Sequence, residues 1–432
     1  MRAEDREILR LAVPAFLALV AEPAFLLADS AIVGHLGTTP LAGLGLAGAV
    51  LGTLVSLCIF LAYGTTASVA RRIGAGDLPG ALTDGVHGLW LAVLIGAVTT
   101  VAGLLGTPAL IGLFDASDAV GAQAERYLRI GVLGAVPLLL MLAATGILRG
   151  LQDTRTPLLV AVGGNVANVL LNLWLVYGLD LGIAGSALGT VVAQTGSAAV
   201  MVAVVARAAR AYDVRMRPSL AGIAGAGRAG VPLLLRTLTL RASLLVMTYG
   251  AAALGPGDLA AMQVAMTIWT FLAFALDAIA IAAQALTGRH LGAGDADRTR
   301  LVTRRMLRWG LWSGVVTGLA LAAVSPVLGA VFTTDAEVRD LLVPVLLVAA
   351  LGQPLAGVVF VLDGVLIGAG DGRYLAWAGL WVLAVFAPAA WLAVAGGGTL
   401  TWLWVAFAVA FMGGRAVVLL ARERGEAWMT LG

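Results

Sequence analysis

Acidic side chains set inside long apolar runs are the residues of this sequence with the most chemistry to offer. Asp29, Asp277 and Asp363 each stand deep within such a run, and Glu22 precedes Asp29 in the same one. An ionised carboxylate in hydrocarbon is costly, so each of these groups needs a partner, a bound cation or a proton. Asp29, Asp277 and Asp363 are therefore candidates for ion coupling, against the plainer reading of anchors for helix packing. Asn168 and Asn172 are four residues apart, which puts both on one helix face. They are suited to hydrogen-bond Asp29 and tune its hold on a proton, although buried amides also serve as glue between helices. Glu22 and Arg241 occupy nearly equivalent places in the two halves of the chain. A mid-membrane arginine requires an anion; Glu22 and Asp363 are both available, and the sequence does not choose between them. Arg236 lies nearer the cytoplasmic end of its run and reads as a snorkelling side chain. Arg236 and Arg241 are taken as the intramembrane arginines, with Arg241 expected to matter more.

Other chemistries find no support. His35, His87 and His290 fall at run ends or in loops without metal-ligand spacing, so no metal site is expected. Cys58 is the one cysteine and lies in an apolar run, which leaves neither a disulfide framework nor a thiolate cluster. No zinc-protease, hydrolase-elbow or nucleotide-phosphate motif occurs. An enzyme is not expected, and neither is a cofactor: the work should come from a proton or sodium gradient. All 27 basic residues are arginines scattered over short loops, so nucleic acid is not an expected partner. Trp269, Trp309 and Trp312 read as interface or packing residues.

The elements that must position these groups follow from composition. Of 432 residues, 60% are hydrophobic and 12% charged, too little polar material to clothe a soluble protein of this length. A helix needs about 20 apolar residues to cross a bilayer, and such runs follow one another from Ile8 to Ala421. We read twelve: near 8–34, 41–70, 84–113, 119–149, 156–178 and 183–208, then 228–252, 259–288, 301–331, 337–367, 374–395 and 400–421. Backbone polar groups have no water partner in lipid, so each should be helical; the alternating ten-residue segments of a membrane barrel are missing. Many of the 56 glycines sit inside these runs, where small residues let helices approach closely.

Arginine placement sets orientation. One set of loops holds Arg71, Arg72, Arg149, Arg155, the segment Arg207 to Arg228, Arg289 to Arg308, Arg373, Arg422 and Arg424. The opposite set holds mostly Asp115, Asp118, Asp180, Asp258, Asp335 and Asp340. Both termini should be cytoplasmic, with Met1 to Arg10 forming a short helix that leads into the membrane.

The chain also repeats itself at an offset of 218. Arg71-Arg72-Ile-Gly-Ala-Gly-Asp77 matches Arg289-His290-Leu-Gly-Ala-Gly-Asp295. Gly146, Gly150, Asp153 and Arg155 fall on Gly364, Gly368, Asp371 and Arg373, and Val13-Pro14 on Val231-Pro232. Six runs per half make a parallel repeat, a recurrent plan in secondary transporters whose substrate site lies near mid-membrane. The expected organisation is one six-helix lobe over 1–208, a cytoplasmic connector at 209–227 and a second lobe over 228–432.

On these residues the sequence resembles the multidrug and toxic compound extrusion (MATE) transporters, in their DinF-like branch. Glu22-Pro23 with Leu27-Ala-Asp29-Ser-Ala-Ile-Val-Gly-His-Leu-Gly37 is similar to the family's first helix. Further likenesses are Leu148-Arg-Gly-Leu-Gln-Asp153, Gly182-Ile-Ala-Gly-Ser-Ala187, Ile281-Ala-Ala-Gln-Ala285 and Leu362-Asp-Gly-Val-Leu-Ile-Gly-Ala-Gly-Asp371. The resemblance implies an all-α fold of two pseudo-symmetric six-helix lobes. It also implies antiport of organic, often cationic or amphiphilic, compounds against protons or sodium. It assigns the coupling carboxylate to Asp29, the helix-bending proline to Pro14 and neighbouring polar positions to Glu22, Thr145 and Thr190. It places a cation-coupling acid of related branches near Asp363. On the fifth helix the family's Asn-x-x-x-Asp is Asn168-Val-Leu-Leu-Asn172 here, an amide in place of the second acid. The expected setting is a bacterial inner membrane, with lipids and small-molecule substrates as partners and a monomer as the working form. A flippase for lipid-linked sugars is the alternative, which would favour a more cationic cavity than two arginines provide.

Overall fold

Twelve helices long and apolar enough to span a membrane account for nearly all of the chain among the described residues, and no strand interrupts them. The computed structural model describes residues 3–395 and 397–431. In the first half the helices are α1 (Glu4–Gly34), α2 (Thr38–Gly74), α3 (Leu78–Gly112), α4 (Asp118–Gly150), α5 (Arg155–Gly178) and α6 (Gly182–Ala211). In the second they are α7 (Leu220–Leu254), α8 (Pro256–Gly292), α9 (Ala296–Phe332), α10 (Ala336–Gly368), α11 (Gly372–Ala395) and α12 (Leu400–Arg424).

Local signals explain where these helices start. Asp77 accepts a hydrogen bond from the Gly80 amide at the head of α3, and Asp295 accepts one from the Arg298 amide at the head of α9. A carboxylate there satisfies an orphan N–H and meets the positive end of the helix dipole. In both turns the preceding glycine, Gly76 or Gly294, takes the left-handed conformation that a side chain would resist. Asp335 caps α10 in the same manner through Glu337 and Val338.

The repeat is visible in packing as well as in sequence. Gly146 and Gly150 of α4 lie against the α2 backbone at Ala62 and Thr66. Gly364 and Gly368 of α10 lie against the α8 backbone at Ala280 and Gln284. Every residue of the second seam is the 218-offset mate of one in the first. At Gly146, Gly364 and Gly368 a Cβ would drive into the facing carbonyl oxygen, and at Gly150 it would meet the Val69 side chain first, so glycine permits the approach.

By contacts the chain divides into two compact units, Leu17–Gly230 and Met1–Phe16 with Val231–Gly432. The start of α1 thus packs within the second unit and its remainder within the first; the division falls just after Pro14. In the second unit, Asp5 is buried and accepts both Nε and Nη2 of Arg305 at 2.6 Å and the indole N–H of Trp309 at 2.9 Å. In the first unit, Trp90 donates to the Met216 carbonyl at 2.9 Å, and Gly222 lies against the His87 ring.

Candidate functional site

Within the Leu17–Gly230 unit, three helices bring polar groups to Asp29 of α1. The carboxylate is 3% exposed. Its Oδ1 accepts the Asn172 amide N–H of α5 at 2.8 Å and the Ser186 hydroxyl of α6 at 2.6 Å. The Tyr127 hydroxyl of α4 is a further hydrogen-bond neighbour. Asn172 uses its second N–H on Asn168 Oδ1 at 2.9 Å, and Asn168 donates to the Thr190 hydroxyl at 3.0 Å. A directed chain therefore runs from Asp29 through two amides to α6. Helical spacing allows it: Asn168 and Asn172 stack one turn apart, as do Ser186 and Thr190 on the facing helix. Gly189 keeps the passage open, because a Cβ there would strike the Asn172 side chain. Just beyond Asn172 the helix widens into a π turn over Trp174–Gly178, a local change common beside functional groups. Asn165, one more turn back, donates to the Ala21 carbonyl and ties α5 to α1. Every donor to Asp29 is neutral. The site holds a buried acid with no arginine beside it among the described residues, so its charge is not already met by a fixed cation.

Two of the expected residues do not reach this chain of bonds. Thr145 is half-buried on α4, and Glu22 is exposed on α1; neither forms an ion pair or side-chain hydrogen bond among the described residues. Pro14 sits in an unbroken α1, half-buried, on the other unit's side of the division. Ser186 and Tyr127 were not singled out by sequence reasoning. Ser186 stands in the quoted Gly182-to-Ala187 motif, which was the available signal; Tyr127 gave none.

The second unit carries a different cluster. Asp363 of α10 is 6% exposed and its Oδ2 receives two guanidiniums, Arg236 of α7 at 2.5 Å and Arg415 of α12. Asp277 of α8 is half-buried and near enough to act on the charge of Arg415. The expectations for the arginines are corrected here. Arg236 does not snorkel but joins a buried ion pair. Arg241, five residues on, turns to an exposed face of α7 and forms no ion pair among the described residues, so Asp363 is not its partner. Arg236 and Arg241 are also not the full intramembrane set: Arg415 is 8% exposed inside α12. The sequence reading did not single it out. A π turn over Phe407–Gly413 precedes it. The Phe411 ring then lies 5.5 Å from its guanidinium. Among the described residues no group of acidic, histidine and cysteine side chains could hold a metal ion. Trp269 packs edge-on to Phe407 and beside Phe360, Trp309 donates to Asp5, and Trp312 is exposed.

Twelve spanning helices in two repeated halves, each with a buried polar cluster, are the plan of a polytopic membrane transporter. The chain belongs to the MatE family, whose description it matches over residues 14–174 and 232–392. It is a transporter of the multidrug and toxic compound extrusion family, and not an enzyme. It is 33% identical over 395 residues to Protein DETOXIFICATION 44, chloroplastic, of Arabidopsis thaliana, covering 86% of this chain and 73% of that one. With DNA damage-inducible protein F of Escherichia coli it shares 32% identity over 391 residues, 85% of this chain and 82% of the relative. In fold it is similar to a solved outward-facing multidrug resistance MATE family transporter of the MOP superfamily, with TM-score 0.89, 23% identity and coverage of 98% and 96%.

Proposed function

We propose that the protein is a secondary antiporter that exports small organic, often cationic or amphiphilic, compounds by alternating access. The exchanged ion is a proton in preference to sodium, and Asp29 is the group that carries it. No cofactor takes part beyond the ion gradient. The protein works as a monomer in a bacterial cytoplasmic membrane with both termini cytoplasmic. One observation carries the reading: Asp29 is buried among neutral donors only, from Asn172, Ser186 and Tyr127.

The geometry supports a defined exchange. Ionised, Asp29 accepts from α5 and α6 and holds them to α1, each bond to a charged group being worth about 1.5–3 kcal/mol. Once protonated, the carboxyl is itself a donor, and the Asn172 and Ser186 bonds must weaken or turn. The two protonation states then favour different packings of α1 against α5 and α6. A population shift needs only such a difference between two states. Thr190 and Asn168 extend the effect one turn along the α5–α6 contact.

The test is uptake by everted membrane vesicles of a panel of dyes and metabolites, with proton and sodium gradients set separately. Asp29→Asn keeps the size of the side chain and removes its charge. Proton-driven uptake should disappear while the variant still folds and inserts, and proton release on ionising the purified protein should fall by one group. Uptake at the wild-type rate against a gradient would place coupling elsewhere.

A further inference from the structure

The head of α9 carries Arg298, Arg300, Arg304, Arg305 and Arg308. Arg300 pairs with Asp297 and Glu426, and Arg305 with Asp5. Arg304 and Arg308 are exposed and form no ion pair or side-chain hydrogen bond among the described residues. The packing of α9 explains where they point. Gly310, Gly314 and Gly318 lie against the α10 backbone. Arg308, Trp312 and Val316 each stand two residues before one of those glycines, about 200° around a helix of 3.6 residues per turn. Arg304 extends this row one turn back and Leu319 one turn on. The row faces away from the α10 seam, and Trp312, Val316 and Leu319 are exposed on it. At the 218-offset positions of α3, Leu94, Val98 and Val101 are exposed as well, so both halves turn this apolar face outward. Val86 and Trp90 stand there in place of Arg304 and Arg308, which leaves the basic pair to the second half. Depth follows from length. The 37 residues of α9 make about 55 Å of helix, longer than the roughly 30 Å of hydrocarbon. No charged residue lies between Arg308 and Asp335, so the hydrocarbon begins beyond Arg308. Trp312, one turn on, sits at the level of interfacial tryptophans.

We propose that Arg304 and Arg308 form a binding site for the headgroup of an acidic glycerophospholipid. The phosphate receives the guanidinium forks, whose planar donors match its oxygens. The acyl chains run along Trp312, Val316 and Leu319. A phosphatidylcholine headgroup has the same phosphate but carries its own cation, so an acidic lipid is preferred. The apolar row commits the site to a lipid, since a dissolved anion would make no use of it. The site lies in the leaflet where α9 begins, which is the cytoplasmic one in the proposed orientation. It requires only that α9 spans the membrane and is independent of Asp29 and of the exchanged ion.

Trp312 is the reporter. The protein is held in phosphatidylcholine nanodiscs that contain a minor share of phosphatidylglycerol or phosphatidylcholine with brominated acyl chains, which quench tryptophan on contact. Subtracting the signal of Trp312→Phe isolates Trp312 from the other tryptophans. Brominated phosphatidylglycerol should quench it at a lower mole fraction than brominated phosphatidylcholine, by about fivefold for each arginine. Arg304→Gln with Arg308→Gln should bring the two lipids level. Arg215→Gln with Arg217→Gln, an equal loss of charge at exposed positions in the link between α6 and α7, should leave the preference unchanged. Equal quenching by the two lipids in the wild type would overturn the proposal without recourse to a charge variant. So would a preference that survives in Arg304→Gln with Arg308→Gln, or one that falls as far in the link variant, which would make it a property of net charge. Quenching by neither lipid would mean that protein covers the row, and would overturn the proposal as well.

Discussion

Asp29 and Asp363 are both buried acids, yet their neighbours give them opposite characters. Neutral donors around Asp29 leave its charge open to exchange, whereas Asp363 already holds two fixed cations. Removing one member of a buried ion pair strands the other and typically costs about 3–5 kcal/mol. Arg236→Leu should fall near the lower end of that range, since Asp363 keeps Arg415. Arg241→Leu, on an exposed face, should stay within about 0.5 kcal/mol of wild type. Thermal unfolding in detergent compares the two, and equal destabilisation would contradict the assignment. Along the amide chain, Asn172→Leu should reduce proton-driven efflux more than Asn168→Leu, because Asn172 touches Asp29 directly. Equal transport rates for the two variants would remove Asn172 from its special place. How far these residues were legible depends on what a linear sequence records. Depth in an apolar run identifies Asp29 and Asp363. It does not record azimuth, and azimuth separates Arg236 from Arg241. Ser186 escaped notice because a hydroxyl is cheap enough to occur anywhere in a membrane helix. Arg415 escaped because one arginine late in an apolar run looks the same in a linear sequence whether it turns inward or outward.

Helices in this protein meet through glycine, and the contacts are close enough to make the seams intolerant. On α9, Gly310, Gly314 and Gly318 recur every fourth residue and face the α10 backbone at Gly357, Gln353 and Ala350. Gly310 and Gly357 each lie against the other's carbonyl. No flexible side chain is available to yield there, so an added methyl must push the helices apart. Gly314→Ala should therefore destabilise by about 1–3 kcal/mol, as overpacked cores do. Gly45→Ala, where nothing lies within 4 Å, should be neutral or slightly stabilising. Similar melting temperatures for both variants would show that the α9–α10 seam is looser than described. The abundance of glycine in the apolar runs announces tight packing, and a four-residue spacing marks α9 as a candidate. The partner positions on α10 are not legible in the same way, since a carbonyl oxygen belongs to every residue. The two π turns, which lie just beyond Asn172 and just before Arg415, left no signature either.

At the scale of the whole chain, the offset of 218 made the duplication legible, because matched glycines and caps do matched work in both halves. Arginine bias is the basis for the proposed orientation, with both termini cytoplasmic. Cysteines introduced at Ala211 and Thr38 should label from opposite faces of the membrane, and labelling from one face would reject the topology. What a linear repeat does not record is the exchange of helix starts. Met1–Phe16 packs within the unit of Val231–Gly432, where Asp5 binds Arg305 and Trp309, Glu7 pairs with Arg289 at 3.0 Å, and Ile8, Leu11 and Ala15 are buried. The segment before Val231 packs within Leu17–Gly230, with Met216 bonded to Trp90 and Gly222 against His87. Each half of the sequence thus lends its first turns to the unit built by the other half. Cutting the chain in the short link between α6 and α7, after Val214, leaves both loans in place. Co-expressed fragments 1–214 and 215–432 should therefore co-purify. Asp5→Ala with Glu7→Ala removes two acids from the first loan and leaves Arg305 and Arg289 without those partners. Recovery of the partner fragment should fall, while the same pair of changes in the uncut chain, where the backbone still tethers α1, should be tolerated better. Unchanged recovery would mean that the apolar stripe of Ile8, Leu11 and Ala15 holds the exchanged segment without help from its ion pairs.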